Sequence, residues 1–149
     1  NWEAEKARER QQKDASATSV LDDIPLALPA LTRANKIQKR CAAVGFDWPE
    51  LQPVVDKVHE EINEVLHEVN QPVRDEGKVA EELGDLLFAT VNLVRHLKKE
   101  PEQVLREANS KFERRFRGVE QDLSRVGLDV RVSTLDQMEA AWQRVKDSE

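Results

Sequence analysis

A chain of 149 residues with 39% apolar and 35% charged content is long enough for one domain with a core of its own. Its formal charge of −6 argues against general nucleic-acid binding, and its single cysteine, Cys41, excludes an intramolecular disulfide and suits a reducing compartment. No apolar run approaches about 18 residues and no signal-like segment opens the chain, so the expected setting is cytoplasmic, with no nucleic-acid and no membrane partner.

Five glycines, six prolines, no tyrosine and few alternating Val/Ile/Thr runs leave little that reads as sheet, so the expected fold class is all-α. Trp2 to Lys13 is rich in Glu, Lys, Arg and Gln and has almost no apolar periodicity, which allows a solvated helix but no independent fold. Asp14 to Asp23 reads as linker, making residues 1–23 an arm ahead of a helical domain over residues 24–149. Ile24-Pro25 and Leu28-Pro29 impose an extended approach, because each proline disfavours the α region in the residue before it. A first core helix is predicted from Pro29 to Val44, with Leu31, Ala34, Ile37, Gln38 and Cys41 on or near its inner face and Gly45 ending it. After the loop Gly45-Phe46-Asp47-Trp48-Pro49 come helices expected over Glu50 to Asn70, Asp75 to Lys98 and Pro101 to Val126. A short last helix over Thr134 to Lys146 is suggested by the cap candidates Ser133 and Thr134. The whole reads as an antiparallel bundle of four main helices plus this short one.

Chemistry concentrates on the second and third of these main helices. At about 100° per residue, Lys57, Glu61, Glu64 and Glu68 share a strip beside the apolar stripe Val55, Val58, Ile62, Val65, Leu66 and Val69. Lys78, Glu82, Asp85, Ala89 and Asn92 form a similar strip, offset in the same sense from Val79, Leu83, Leu86, Leu87, Thr90, Leu93, Val94 and Leu97. In an antiparallel hairpin, flanks of the same sense meet. Glu61/Glu64 precede the turn near Pro72 by as many residues as Glu82/Asp85 follow it, about 16 Å up each helix at 1.5 Å per residue. Acidic residues on helices are usually solvated surface. Paired i,i+3 carboxylates at matched depth, close to apolar stripes, instead call for a neutralising cation.

All-oxygen ligands favour Mg²⁺, with Mn²⁺ as a substitute, and point to phosphate chemistry. Glu64-Val65-Leu66-His67 matches the Glu-x-x-His element of di-iron bundles, but no second copy follows Glu81, Glu82 or Asp85, so iron is the minor reading. Lys111 and Arg115 share a flank of their helix and have the reach for phosphates, whereas Arg114 reads as outer surface. Trp142 reads as helix packing, Cys41 as a small buried hydrophobe, and His59 and His96 as ordinary surface or helix-end residues. A non-catalytic helical module whose acidic strips bind a basic partner is the competing function, separable by chelation, which a partner-binding surface should survive.

These residues resemble the MazG family of nucleoside triphosphate pyrophosphohydrolases. The family's acidic signature appears as Glu60-Glu61-x-x-Glu64 and Glu81-Glu82-Leu83-Gly84-Asp85. It is accompanied by Leu28-Pro29-Ala30-Leu31, Lys36-Ile37-Gln38, Gly45-Phe46-Asp47-Trp48 and Asn109-x-Lys111-Phe112-x-Arg114-Arg115-Phe116, and the likeness extends from Ile24-Pro25 to Lys146. The carboxylates alone would also suit dimeric dUTPases; the other segments favour MazG. The resemblance implies an all-α homodimer that uses Mg²⁺ to split a nucleoside triphosphate into monophosphate and pyrophosphate by water attack at the α-phosphorus. It makes Glu61, Glu64, Glu82 and Asp85 metal ligands. Lys57, Glu60, Lys78, Glu81, Lys111 and Arg115 would line the triphosphate site, Trp142 would face the base, and Glu60, Glu61 and Glu81 would be the catalytic carboxylates. With one catalytic unit, the chain is similar to the C-terminal half of a two-copy family member, and Trp2-x-x-x-Lys6 would then echo Trp142-x-x-x-Lys146 as the end of a preceding copy.

Overall fold

Six α-helices and one 3₁₀ turn make up the regular structure of a computed structural model that describes residues 1–13 and 18–149; among these there is no strand. The helices are α1 (Trp2–Lys13), α2 (Ala30–Ala43), α3 (Leu51–Val69), α4 (Glu76–His96), α5 (Pro101–Arg125) and α6 (Leu135–Asp147), with the 3₁₀ turn at Val130–Val132. All five helices expected after the arm form, within two residues of their expected ends. The stretch read as linker lies partly outside the described residues. Among the described residues no helix is long and apolar enough to cross a membrane.

The chain divides into two compact units, Asn1–Glu102 and Gln103–Glu149. In the first, α3 and α4 pack as a hairpin, α2 lies on α4, and α1 touches α2. Arg40 fixes the extended approach to α2 by donating from Nη1 to the carbonyls of Val20 (2.9 Å) and Asp22 (2.8 Å), and its Nε lies 3.5 Å from Glu3. Helix α2 ends as Gly45 allows. At φ +94° Gly45 donates to the Ala42 carbonyl and Phe46 donates to that of Cys41, the bond pair of a Schellman cap. Asp75 starts α4, its carboxylate accepting from the N–H groups of Gly77 and Lys78.

The core of this unit is Ile24, Val54, Val79, Ala89 and Val91, together with three buried polar side chains, Asn35, Gln38 and Glu61. The apolar stripes read from the sequence are wider than what the hairpin covers. Ile62, Leu66, Leu83 and Leu87 remain 39%, 50%, 43% and 61% exposed, because the packing of α3 on α4, with α2 on α4, covers only part of each stripe.

In the second unit α5 and α6 close on Val119, Leu123 and Ala141, with Leu128, Met138, Trp142 and Val145 packed around them. Gly118 sets how near the helices come: a Cβ there would sit 3.1 Å from the Val145 methyls. A capping box opens α6, Thr134 accepting from the Gln137 N–H while the Gln137 side chain accepts from the Thr134 N–H.

Candidate active site

The α3/α4 hairpin brings together carboxylates from both helices. Glu61, Glu82 and Asp85 each present an oxygen, and these atoms lie within 4.8 Å of one another. Glu61 is 7% exposed. Its Oε1 takes the ammonium of Lys57 at 3.1 Å, while its Oε2 is buried and has no hydrogen-bond partner among the described residues. Lys57 also reaches Glu60, at 3.4 Å, and these carboxylates, Glu61 first, hold its ammonium above the ordinary lysine value. Desolvation, and then the charges of Asp85, Glu61, Glu64 and Glu81, push Glu82 above the ordinary carboxylate value. Glu64 is exposed and stands outside the tight triplet, although its charge is felt there. Glu60, Glu81 and Lys78 are exposed on the same two helices, Lys78 near the hairpin turn.

These residues fit a hard divalent cation. The donors are all carboxylate oxygens, they carry mutually repelling charge, and one of them is a buried oxygen that nothing among the described residues satisfies.

A cleft of about 580 Å³ opens beside the triplet, with Lys57, Glu61 and Asp85 at its polar part and Phe46, Trp48 and Phe88 among its walls. Its outer wall is the Gly45–Trp48 loop, strapped to the end of α4 by Asp47. Arg95 donates to both Asp47 oxygens (2.8 and 3.2 Å), and His96 Nε2 lies 2.8 Å from Oδ1. Partial burial would raise the Asp47 carboxyl, but the bonds from Arg95 and His96 outweigh it and bring it down to about 2.

Lys111, Arg115 and Trp142 belong to the second unit. Arg115 grips the Glu149 side chain through a two-bonded fork (2.8 and 2.9 Å), the geometry a guanidinium also offers to phosphate. Its guanidinium carbon sits 5.8 Å from the centre of the Trp142 ring. Trp142 packs on Phe112 at 5.3 Å between ring centres and borders the core. Lys111 is exposed, and its charge helps hold Glu149 below the ordinary carboxylate value, after the Arg115 bond.

Reasoning from sequence missed the cleft. Asp47, Arg95 and His96 meet across some fifty residues, which no local period reveals, and His96, at the end of its helix as expected, also has its Nε2 within hydrogen-bond distance of Asp47. Two signals were nevertheless present. Gln38 stands out as an amide on an apolar face, and Asn92 continues the strip that carries Glu82 and Asp85.

Residues 50–119, which span all of α3 and α4 and most of α5, match the profile of the MazG nucleotide pyrophosphohydrolase domain. The chain belongs to the MazG family. It is 58% identical over 148 residues to a nucleoside triphosphate pyrophosphohydrolase of Escherichia coli (strain K12), covering 99% of this chain and 56% of that protein. It is 34% identical over 145 residues to the Thermotoga maritima nucleoside triphosphate pyrophosphohydrolase/pyrophosphatase MazG, covering 97% and 54%. A Bacillus subtilis relative, the uncharacterized protein YabN, is 40% identical over 149 residues, covering 100% of this chain and 30% of YabN. The chain thus spans about half the length of the first two relatives.

Proposed function

We propose that the chain is a nucleoside triphosphate pyrophosphohydrolase that converts a nucleoside triphosphate to the monophosphate and pyrophosphate with Mg²⁺, or Mn²⁺ in its place. The observation that carries this reading is the buried, unpartnered Oε2 of Glu61 beside the crowded oxygens of Glu82 and Asp85. Glu61, Glu64, Glu82 and Asp85 hold the metal. Bound there, the cation supplies charge neutralisation for the triphosphate and lowers the pKa of the attacking water.

The protein's own groups do the rest. Lys57, Lys78, Lys111 and Arg115 bind phosphate oxygens and absorb the charge that develops as the bond between the α-phosphorus and the bridging oxygen breaks. Water oxygen takes the place of pyrophosphate on the α-phosphorus. Glu60 and Glu81, each next in sequence to a metal ligand, line the triphosphate, and one or the other of them, Glu60 or Glu81, accepts the water's proton unless a metal-bound hydroxide makes a dedicated base unnecessary. Trp142 offers a face to the base.

The same reading includes a cytoplasmic enzyme and a homodimer. The uncovered row Ile62, Leu66, Leu83 and Leu87 supports the dimer, since a second copy would bury it. Light scattering at micromolar concentration is expected to give twice the chain mass, and a monomer mass removes the dimer. For the reaction, purified protein is incubated with triphosphate and Mg²⁺ and the products identified. Monophosphate plus pyrophosphate is expected. Diphosphate plus orthophosphate overturns the assigned bond, and no turnover with or without chelator favours a binding module.

A further inference from the structure

Lys57 and Glu61 lie one turn apart on α3, and the Lys57 ammonium stands 3.1 Å from Glu61 Oε1 and 3.4 Å from Glu60 Oε1. Glu61 is the most buried member of the carboxylate triplet, beside a half-buried Glu82 and an exposed Asp85. A carboxylate withdrawn this far from water needs a counter-charge, and the structure supplies one from the same helix. Lys57 thus does for Glu61 part of what a divalent cation would do for the whole triplet.

The two cations cannot both be held at full strength. A Mg²⁺ ion ligated by Glu61 Oε2 lies about 2.0–2.1 Å from that oxygen, which brings it within a few ångströms of an ammonium resting on Oε1 of the same carboxylate. At such a separation the repulsion exceeds thermal energy even at an effective dielectric constant of about 20. The ammonium is the partner able to yield. It sits on a flexible four-carbon stem, its side chain is 39% exposed, and it lines the cleft beside Asp85. Glu61, at 7% exposure, has no comparable freedom.

We propose that Lys57 is an internal competitor for the metal, its ammonium holding Glu61 until an arriving divalent ion displaces it into the cleft. The proposal rests on the reading of Glu61, Glu82 and Asp85 as metal ligands and deepens it by naming the residue that regulates their loading. The ion pair raises the cation concentration at which the triplet fills. It also sets an order, because the ammonium is released to meet an anion in the cleft only after Glu61 has taken the metal. Metal and anion are thereby coupled through one side chain.

The test uses Mn²⁺ alone, titrated by calorimetry into full-length protein that has been treated with EDTA and desalted. Lys57→Met keeps much of the side-chain length and removes the ammonium, so it is expected to bind Mn²⁺ about tenfold more tightly than wild type. Lys57→Arg keeps the charge and stays close to wild type. Lys99→Met makes the same charge change past the end of α4 and leaves the affinity where it was. Unchanged or weaker Mn²⁺ binding by Lys57→Met, or an equal gain in Lys99→Met, overturns the proposal.

Stability gives a second reading of opposite sign. In EDTA, Lys57→Met is expected to melt below wild type because Glu61 has lost its counter-charge, and saturating Mn²⁺ raises its melting temperature by more than it raises that of wild type. Equal melting of the two proteins in EDTA overturns the role given to the ion pair. Failure of the metal reading looks different. If neither wild type nor variant takes up Mn²⁺, both readings fall, whereas uptake by both at one affinity strikes only the role of Lys57.

Discussion

The carboxylate cleft of the first unit and the α5/α6 pair of the second are built on opposite electrostatic plans. In the second unit charges are matched: Arg144 holds Asp122 at 2.6 Å, Arg115 holds Glu149, and α6 begins in a completed capping box. In the first, three carboxylates crowd together, and Glu61 Oε2 and Gln38 Oε1 are buried with no partner among the described residues. Each such orphan costs about 1–3 kcal/mol of stability. A region selected only to fold would replace these groups, so the contrast separates a unit whose charges are matched within the fold from one that leaves buried polar atoms for something else to satisfy.

The sharpest way to break this contrast is Glu61→Gln. The substitution keeps the size and removes the charge that holds a cation, so triphosphate hydrolysis is expected to fall by at least about 100-fold. Melting temperature measured in EDTA stays level or rises, because one repelling charge has gone. Full activity removes Glu61 from the site, and a large fall in melting temperature makes its role structural.

Leu123→Ala probes the other plan. Leu123 is 1% exposed at the centre of the α5/α6 core, and its truncation is expected to cost about 2–5 kcal/mol in urea unfolding. A loss below about 1 kcal/mol shows that the core collapses around the gap and is less tightly packed than the contrast requires.

Trp142 lies on the border between the two roles, packed on Phe112 yet assigned a face toward the base. Trp142→Ala is expected to weaken nucleotide binding by about 1–3 kcal/mol, measured by calorimetry on protein that remains folded by circular dichroism. Intact affinity with a lowered melting temperature would make the residue purely a packing element.

The smallest effect concerns Asp47. Its folded value of about 2 lies below the ordinary 3.8, so the fold favours the ionised form. The stabilisation is complete above the ordinary value and is lost as pH falls through about 2. An acid titration followed by tryptophan emission should therefore show a component in that window that Asp47→Asn removes. Other lowered carboxylates, Asp122, Asp129 and Glu149, titrate in wild type and variant alike, so identical curves would mean that the strap contributes nothing.

How legible the molecule was depended on the range of the interactions. Asp75, Thr134 and Gly45 announce helix ends through local bonds, and the structure places those ends within two residues of expectation. The meeting of Glu61 with Glu82 and Asp85 was also readable, because a short turn between two helices turns spacing into geometry. Which apolar residues the hairpin covers was not readable, since Ile62 and Leu83 belong to the same periodic stripes as half-buried neighbours. Nor was the pairing of Asp47 with Arg95, which requires the end of α2 to arrive beside the end of α4.

The Schellman cap at Gly45 has a consequence for binding. Its bonds fix the backbone at Gly45 and Phe46, Asp47 is fastened to Arg95, and the Trp48 N–H donates to Asp47 Oδ1 at 2.8 Å. The loop is therefore already ordered when a ligand arrives. The conformational entropy left to lose is that of the side-chain rotors of Phe46 and Trp48, about 0.5–1.5 kcal/mol for each ring immobilised. A wall built this way acts as a stationary surface, with little backbone freedom left for a ligand to remove.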